Sequence, residues 1–486
     1  MGKSSLTNDT NDRISVGTSH WVIILLAEFL IGAGVAWLGW ASVIWFVLFL
    51  LLLVLFLIAR RAILHKMDIF SPTILFGGVY TLYYAIGMLP NKALGWYTEP
   101  IAPSVILWGA LGLLCFGGGI LFAYAIVGRI RSSFGMLLQT QLIDSIDQLS
   151  KVRTKGVLCL YGIIGGMFAL AEFGLGGGVP ILLRRGEAGN LLRYDIIRQA
   201  GYFVHFQIYF MYIAMILASA IALRRRWAKP MATVLIFANL FFFLSTYNRV
   251  EVIRVLFSLV ILFHYLRKPV GLRFSALLAL GVLLAVGGIH MLRIGISIGN
   301  ISDSASLIFW YFQGSVGFPV RVFEKVLAEV PSTVNYFRGR FNFSTFLSLF
   351  GQYPSGPELI REHLFPERYT AQTLVLPGGW YADGGGGAVI VGMFVMGFLM
   401  QLCYILLLRR GTIMWLLIYV NVAFEMLYSI YLGGGALGVR LWLLVLLSFT
   451  AYQIAAKRST AFSWLSGFFT IIAVLAGATK LLLLAF

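Results

Sequence analysis

YFVHFQIYFMYIAMILASAIALRRRWAKPMATVLIFANLFFFLST, residues 202–246, holds two apolar runs, 202–223 and 230–246, hinged on Arg224-Arg225-Arg226. A helix rises 1.5 Å per residue, so roughly 20 apolar residues cover the ~30 Å hydrocarbon core of a bilayer. The stretch therefore predicts a transmembrane helical hairpin with its basic turn on one side. The whole chain extends that pattern: of 486 residues, 60% are hydrophobic and 12% charged. Soluble domains are about 45–50% apolar and about 25% charged, so this chain cannot wrap its apolar surface in a polar coat. In lipid, every backbone N–H and C=O needs an internal partner, which leaves helix bundles or closed barrels. Barrel strands would show roughly ten-residue alternation, which is absent here. The fold class is all-α: one polytopic transmembrane bundle over residues 1–486.

Outward from that hairpin, hydropathy predicts thirteen spans. They lie near 21–38, 41–58, 69–88, 105–127, 156–175, 202–223, 230–246, 250–266, 274–292, 386–408, 412–432, 441–456 and 462–484. With odd-numbered spans leaving the cytoplasm, Arg60-Arg61, Arg129 with Arg131, Arg224 to Arg226, Arg267-Lys268, Arg409-Arg410 and Lys457-Arg458 all fall inside. This is the positive-inside pattern. It also accounts for the net charge of +18 without nucleic acid as a partner, because the bases form short clusters between spans. Lys3 and Arg13 precede an apolar run with small residues at Gly34-Val35-Ala36, but Trp37 and Trp40 follow at once. An uncleaved first helix is expected. Cys115, Cys159 and Cys403 lie in apolar segments and read as small hydrophobes, with neither disulfide framework nor metal spacing.

Two outer segments exceed the length of mere connectors: a first outer loop at 176–201 and a second at 293–385. Leu182-Leu183, Leu191-Leu192 and Ile196-Ile197 predict an interfacial helix in the first. Ser306 to Val330 and Pro357 to Leu364 read as amphipathic helices in the second. Basic charge concentrates here, against the usual bias. Arg184, Arg185, Arg193 and Arg198 lie in the first loop, and Arg249 lies at the tip between spans seven and eight. Arg293, Arg321, Arg338, Arg340, Arg361 and Arg368 lie in the second, while Lys92, Lys325 and Lys480 are the only outer lysines. Arginine's planar fork grips phosphate oxygens at two points, so an anionic lipid-borne phosphate or diphosphate is the expected ligand. Ion pairing is the alternative for Arg198 with Asp195, Arg254 with Glu251, Arg361 with Glu358 or Glu362, and Arg368 with Glu367.

Glu28, Glu172, Glu251 and Glu425 are acids within spans, each either functional or a satisfied structural residue. The sequence carries no GxxxxGK[ST], no DxD and no HExxH, which argues against an ATPase, a metal-bound nucleotide-sugar enzyme and a zinc protease. No metal and no cofactor is expected. His205, His264 and His290 read as structural, and His363, in the second loop, is either an ordinary surface histidine or the one placed for acid–base work. The run Gly384 to Gly387 permits either close backbone approach to a substrate or tight helix packing with Ala388 and Gly392.

Leu244-Ser245-Thr246-Tyr247-Asn248-Arg249 before an apolar span resembles the arginine-ended outer turn of Wzy-type O-antigen and oligosaccharide repeat-unit polymerases. Ala371-Gln372-Thr373 to Pro377, then Trp380-Tyr381-Ala382-Asp383-Gly384 and a further span, resembles that family's loop exit, and the likeness runs over roughly residues 60–456. Asn248 and the four glycines depart from the family's commoner Gly-x-Arg and Asp-Phe-Gly forms. The resemblance implies a GT-C-like membrane glycosyltransferase of the bacterial inner membrane, with periplasmic loops. Its substrates would be glycans on undecaprenyl pyrophosphate; membrane lipid, a chain-length regulator and a flippase are the implied partners. It implies Arg249 on the pyrophosphate, with Arg184, Arg185, Arg193, Arg198, Arg293 and Arg340 as further substrate-binding residues. Asp383 is the first choice of general base and His363 the second, while Trp380 and Tyr381 either stack on sugars or anchor in headgroups. An O-antigen ligase, a flippase and a non-catalytic assembly partner are the rival readings.

Overall fold

The computed structural model describes residues 68–88, 101–127, 136–175, 178–179, 207–246, 248–271, 301–347, 354–367, 372–435 and 437–456. The expected spans at 21–38, 41–58, 274–292 and 462–484 lie outside the described residues, as do Arg184, Arg185, Arg193, Arg198, Arg293 and Arg368. Among the described residues all regular structure is helical. In chain order the helices are α1 (Pro72–Gly87), α2 (Pro103–Val127), α3 (Met136–Asp147), α4 (Lys151–Leu175) and α5 (Tyr209–Ala222). After a 3-10 turn at Arg226–Ala228 come α6 (Lys229–Ser245), α7 (Arg249–Leu266), α8 (Ile301–Glu329), α9 (Ser344–Leu347) and α10 (Gly356–Leu364). The chain continues as α11 (Gly378–Arg410), α12 (Ile413–Leu432) and α13 (Val439–Ala455).

Five stretches among the described residues are long and apolar enough to cross a membrane: α2, α4, Arg226–Ser245, α11 and α12. Their ends follow local chemistry. Pro72 opens α1 and Pro230 opens α6, at first-turn positions where a missing N–H costs nothing. Gly411 and Gly433 close α11 and α12 in the left-handed region, at φ 53° and 77°.

The first helix of the hairpin quoted above, α5, sits at the centre. Every residue from Tyr209 to Ile221 of α5 is buried, because α4, α6, α7, α12 and α13 all pack around it. A helix apolar on all sides suits either lipid or a protein core, and here protein takes the place of lipid. α11 lies along α2, where small residues let the backbones meet. A methyl group at Gly119 would run into the Phe394 carbonyl, and one at Gly397 into the Phe116 carbonyl.

Hydropathy left α3 unseen. Its Leu138, Leu142 and Ile146 are buried at four-residue spacing, with polar residues between. It straps one end of the bundle: Asp147 pairs with Arg225 at 3.4 Å, and Ser145 Oγ accepts the Ile413 N–H that opens α12. Arg409 donates to the Val127 carbonyl there as well. We call this the basic end and the opposite one the loop end.

Candidate active site

α11 is two helices joined by a break. Gly384 is extended and Gly385 has φ 65° and ψ −153°, a conformation reserved for glycine; a Cβ there would also meet the Tyr336 hydroxyl. The break frees Gly378–Asp383 to turn across the loop end. There the Asp383 carboxylate accepts the backbone N–H groups of Phe341 and Asn342, both at 2.9 Å, and the Asn342 amide at 2.8 Å. Asn342 Oδ1 in turn accepts the Gly435 N–H at 3.0 Å, and Gly379 N–H donates to the Gly433 carbonyl at 2.8 Å. One buried carboxylate thus ties the 336–343 turn to α11, and through Asn342 to the link before α13. Arg338 and Arg340 stand exposed on that turn, Arg338 in the left-handed region at φ 52°.

α10 begins with a capping box formed by Ser355 and Glu358, and it carries His363 next to this turn. His363 Nδ1 lies 2.9 Å from the Leu359 carbonyl, and its ring meets Phe337 at 5.3 Å. A carbonyl only accepts, so Nδ1 holds the proton and Nε2 is left as an acceptor. Tyr381 is half-buried, edge-on to Trp108, Phe323 and Tyr336. Trp380 is buried, folded over Gly392, where an added Cβ would overlap its ring. Tight packing holds at Gly386, which faces Trp108, and at Gly392, while Gly387 borders open space.

Below the start of α7 lies a buried charge quartet. Arg254, fully buried, pairs with Glu251 at 2.5 Å and with Glu425 of α12 at 2.6 Å. Arg440 of α13 places Nε and Nη2 on the same oxygen of Glu425, at 2.9 and 2.6 Å, and Nη1 on Glu251 at 3.4 Å. Tyr209 donates to Glu251 at 3.0 Å, and the Arg254 guanidinium lies over Phe424 at 4.4 Å and Tyr209 at 5.4 Å. Two carboxylates and two guanidiniums give no net charge, the condition under which ions are tolerated away from water. Arg249, the first residue of α7, is half-exposed beside this quartet and forms no ion pair with a described residue. Arg321 and Arg361 are ordinary pairs, with Glu324 and Glu362, each at 2.9 Å.

At the basic end another buried carboxylate, Asp68, accepts the Phe70 N–H at 2.9 Å, the Tyr404 hydroxyl at 2.8 Å and the Tyr265 hydroxyl. His264 Nε2 is 3.2 Å from it, while His264 Nδ1 accepts the Val270 N–H at 2.9 Å. His264 thus holds a structural place between Asp68 and the Val270 backbone.

A family model described as "Putative O-antigen polymerase" matches residues 16–445. The chain belongs to the O-antigen polymerase family. Membership makes it a multi-pass membrane protein of polysaccharide biosynthesis, a glycosyl-transferring enzyme whose substrates are lipid-linked glycans. No curated protein and no solved structure matches it. Among the described residues, no three His, Cys, Asp or Glu side chains gather as a metal site requires.

In this polymerase the structure brings Asp383, Arg340, Tyr381 and Trp380 to one knot at the loop end, with His363 against it through Phe337. Arg249 belongs instead to the α7 terminus above the quartet. The sequence reading missed Arg440. Charge balance is the signal that finds it: Glu251 and Glu425 lie within spans, Arg254 neutralises one of them, and Arg440 is a lone cation at the head of the following span.

Proposed function

We propose that this chain joins glycan repeat units carried on polyprenyl pyrophosphate, with the loop end facing the periplasmic side of the inner membrane. An acceptor hydroxyl attacks the anomeric carbon of the donor sugar, the bond to the lipid diphosphate breaks, and undecaprenyl pyrophosphate leaves. The chemistry asks for two substrates held in line and for positive charge where the diphosphate becomes free. The observation that carries this reading is Arg249: in a chain of this family it opens a helix at the loop end, half-exposed and unspent on any described acid.

Arg184, Arg185, Arg193, Arg198 and Arg293 complete the anion surface in this proposal, and Arg340 extends it from the Asp383-held turn. His363 is the base, since its free Nε2 can take the hydroxyl proton. Asp383, its oxygens engaged by three N–H groups, acts by holding the turn in place. Tyr381 offers a ring to sugar, while the buried Trp380 packs over Gly392. The inside clusters of basic residues support the orientation, with Arg224 to Arg226 and Arg409-Arg410 at the end opposite Arg249.

Purified protein given a synthetic lipid-pyrophosphate repeat unit should produce a ladder of chain lengths. Arg249→Ala should lower the extension rate by about 10²–10³-fold with the fold intact, the usual cost of losing one charge-stabilising donor. His363→Gln should lower it by about 10²–10⁴-fold, the range for a lost general base. A full-rate ladder from Arg249→Ala removes that residue from the site. Wild-type protein that instead moves finished polymer onto a lipid A-core acceptor is a ligase, and the proposal fails.

A further inference from the structure

The two arginines of the quartet differ in a way that neutralising two glutamates does not require. Arg254 is enclosed: its side chain is 0% exposed, all its terminal nitrogens face carboxylates, and Tyr209, Tyr212 and Phe424 cover its faces. Arg440 carries the same charge, yet its side chain is 19% exposed at the head of α13. A guanidinium has five N–H groups. Nε, Nη2 and Nη1 of Arg440 each direct one to Glu425 or Glu251, which leaves one N–H on each terminal nitrogen without a partner among the described residues. One face of the group lies on Tyr428, at 4.7 Å. The carboxylates and this ring fix its plane, so the two remaining donors are held in place and lose little freedom on meeting a ligand.

Two adjacent N–H donors on a fixed cation match two oxygens of a phosphate group. The pull of Glu251 and Glu425 on Arg440 is shared with Arg254, so the quartet as a whole does not repel an incoming anion. We propose that Arg440 is a substrate-binding residue whose open guanidinium edge takes the diphosphate of the lipid-linked glycan, with Glu425, Glu251 and Arg254 as the frame that aims it. The proposal rests on the polymerase reading for the identity of its ligand. It adds a cation from α13 that sequence resemblance did not supply.

The test uses full-length protein in phosphatidylcholine nanodiscs, titrated with farnesyl diphosphate and, separately, with farnesol. Arg440→Gln should weaken farnesyl diphosphate binding by about tenfold or more, the worth of a charged hydrogen-bonded contact, and leave farnesol unchanged. Glu425→Gln keeps an amide oxygen to aim the fork while removing a negative charge that competes for it, so its diphosphate affinity should hold or rise even as its melting temperature falls. A purely structural Arg440 predicts that both variants lose affinity together, and that result overturns the proposal. If Arg440→Gln does not fold, Arg440→Lys keeps the charge balance but gives up the fork; undiminished diphosphate affinity in it also overturns the proposal. Wild-type protein that fails to bind farnesyl diphosphate, or loses it when phosphatidylglycerol is added to the nanodisc, assigns the edge to no ligand or to a phospholipid headgroup and sinks the idea. Chain extension is measured separately. Wild-type protein that binds the diphosphate but extends no glycan defeats the polymerase reading alone, and unaltered extension and binding in Arg440→Gln defeats this one alone.

Discussion

At the loop end Glu251 and Glu425 meet two guanidinium groups; at the basic end Asp68 meets two tyrosine hydroxyls, a backbone N–H and the His264 ring. Both clusters place carboxylates where water is scarce, and both draw on α7 and α12: Tyr419 of α12 completes the basic-end cluster by donating to the Phe70 carbonyl. The solutions differ in what they leave over. Around Asp68 a backbone N–H and two hydroxyls converge on one carboxylate and the cluster closes on itself, as in a joint. Around the glutamates one cation remains partly in the open. A saturated cluster fixes helices against one another, whereas one with donors to spare can also meet something that arrives.

Three substitutions probe that contrast, in falling order of effect. Arg254→Met should be the most damaging, because it leaves two buried carboxylates to share the one guanidinium of Arg440; breaking buried pairs costs about 3–5 kcal/mol. Thermal unfolding in detergent should show the loss, and a melting temperature near wild type would mean that the glutamates find other partners or protons. Asp68→Asn should cost less, about 1–3 kcal/mol, since the amide keeps an acceptor but sets its NH₂ against one of the donors. Glycan extension per folded molecule should be unchanged in it. A drop in extension without a drop in stability would erase the distinction between joint and site. Tyr404→Phe, removing one of four contacts to Asp68, should cost about 0.5–1.5 kcal/mol and leave extension alone. A larger loss would show that the hydroxyls act as one network rather than singly.

The bundle was legible because lipid imposes a simple rule on sequence: apolar runs of fixed length, punctuated by bases on one side. Spans expected at 105–127, 230–246, 250–266 and 412–432 fall on α2, α6, α7 and α12 within a few residues. α3 was not legible by that rule, since it lies across the end of the bundle and buries one face only. The first turn of α11 was hidden for a different reason. The span was expected from residue 386, after the first glycines, but a helical turn precedes the break at Gly384–Gly385. The site was legible one residue at a time and illegible as an arrangement. Asp383 announces itself as an acid beside a span, yet its donors Phe341 and Asn342 lie 42 and 41 residues earlier. Arg440 reaches Glu251 across 189 residues, a distance that no local pattern records.

The zero sum of the quartet has an electrical consequence. A cell membrane holds a voltage, and a charge carried fully across it feels about 2.3 kcal/mol for each 100 mV. Two positive and two negative groups locked together experience almost no net pull, so energising or discharging the membrane does not drag the quartet as a unit toward either face. An enzyme seated in a living bilayer can keep its geometry while the potential around it swings.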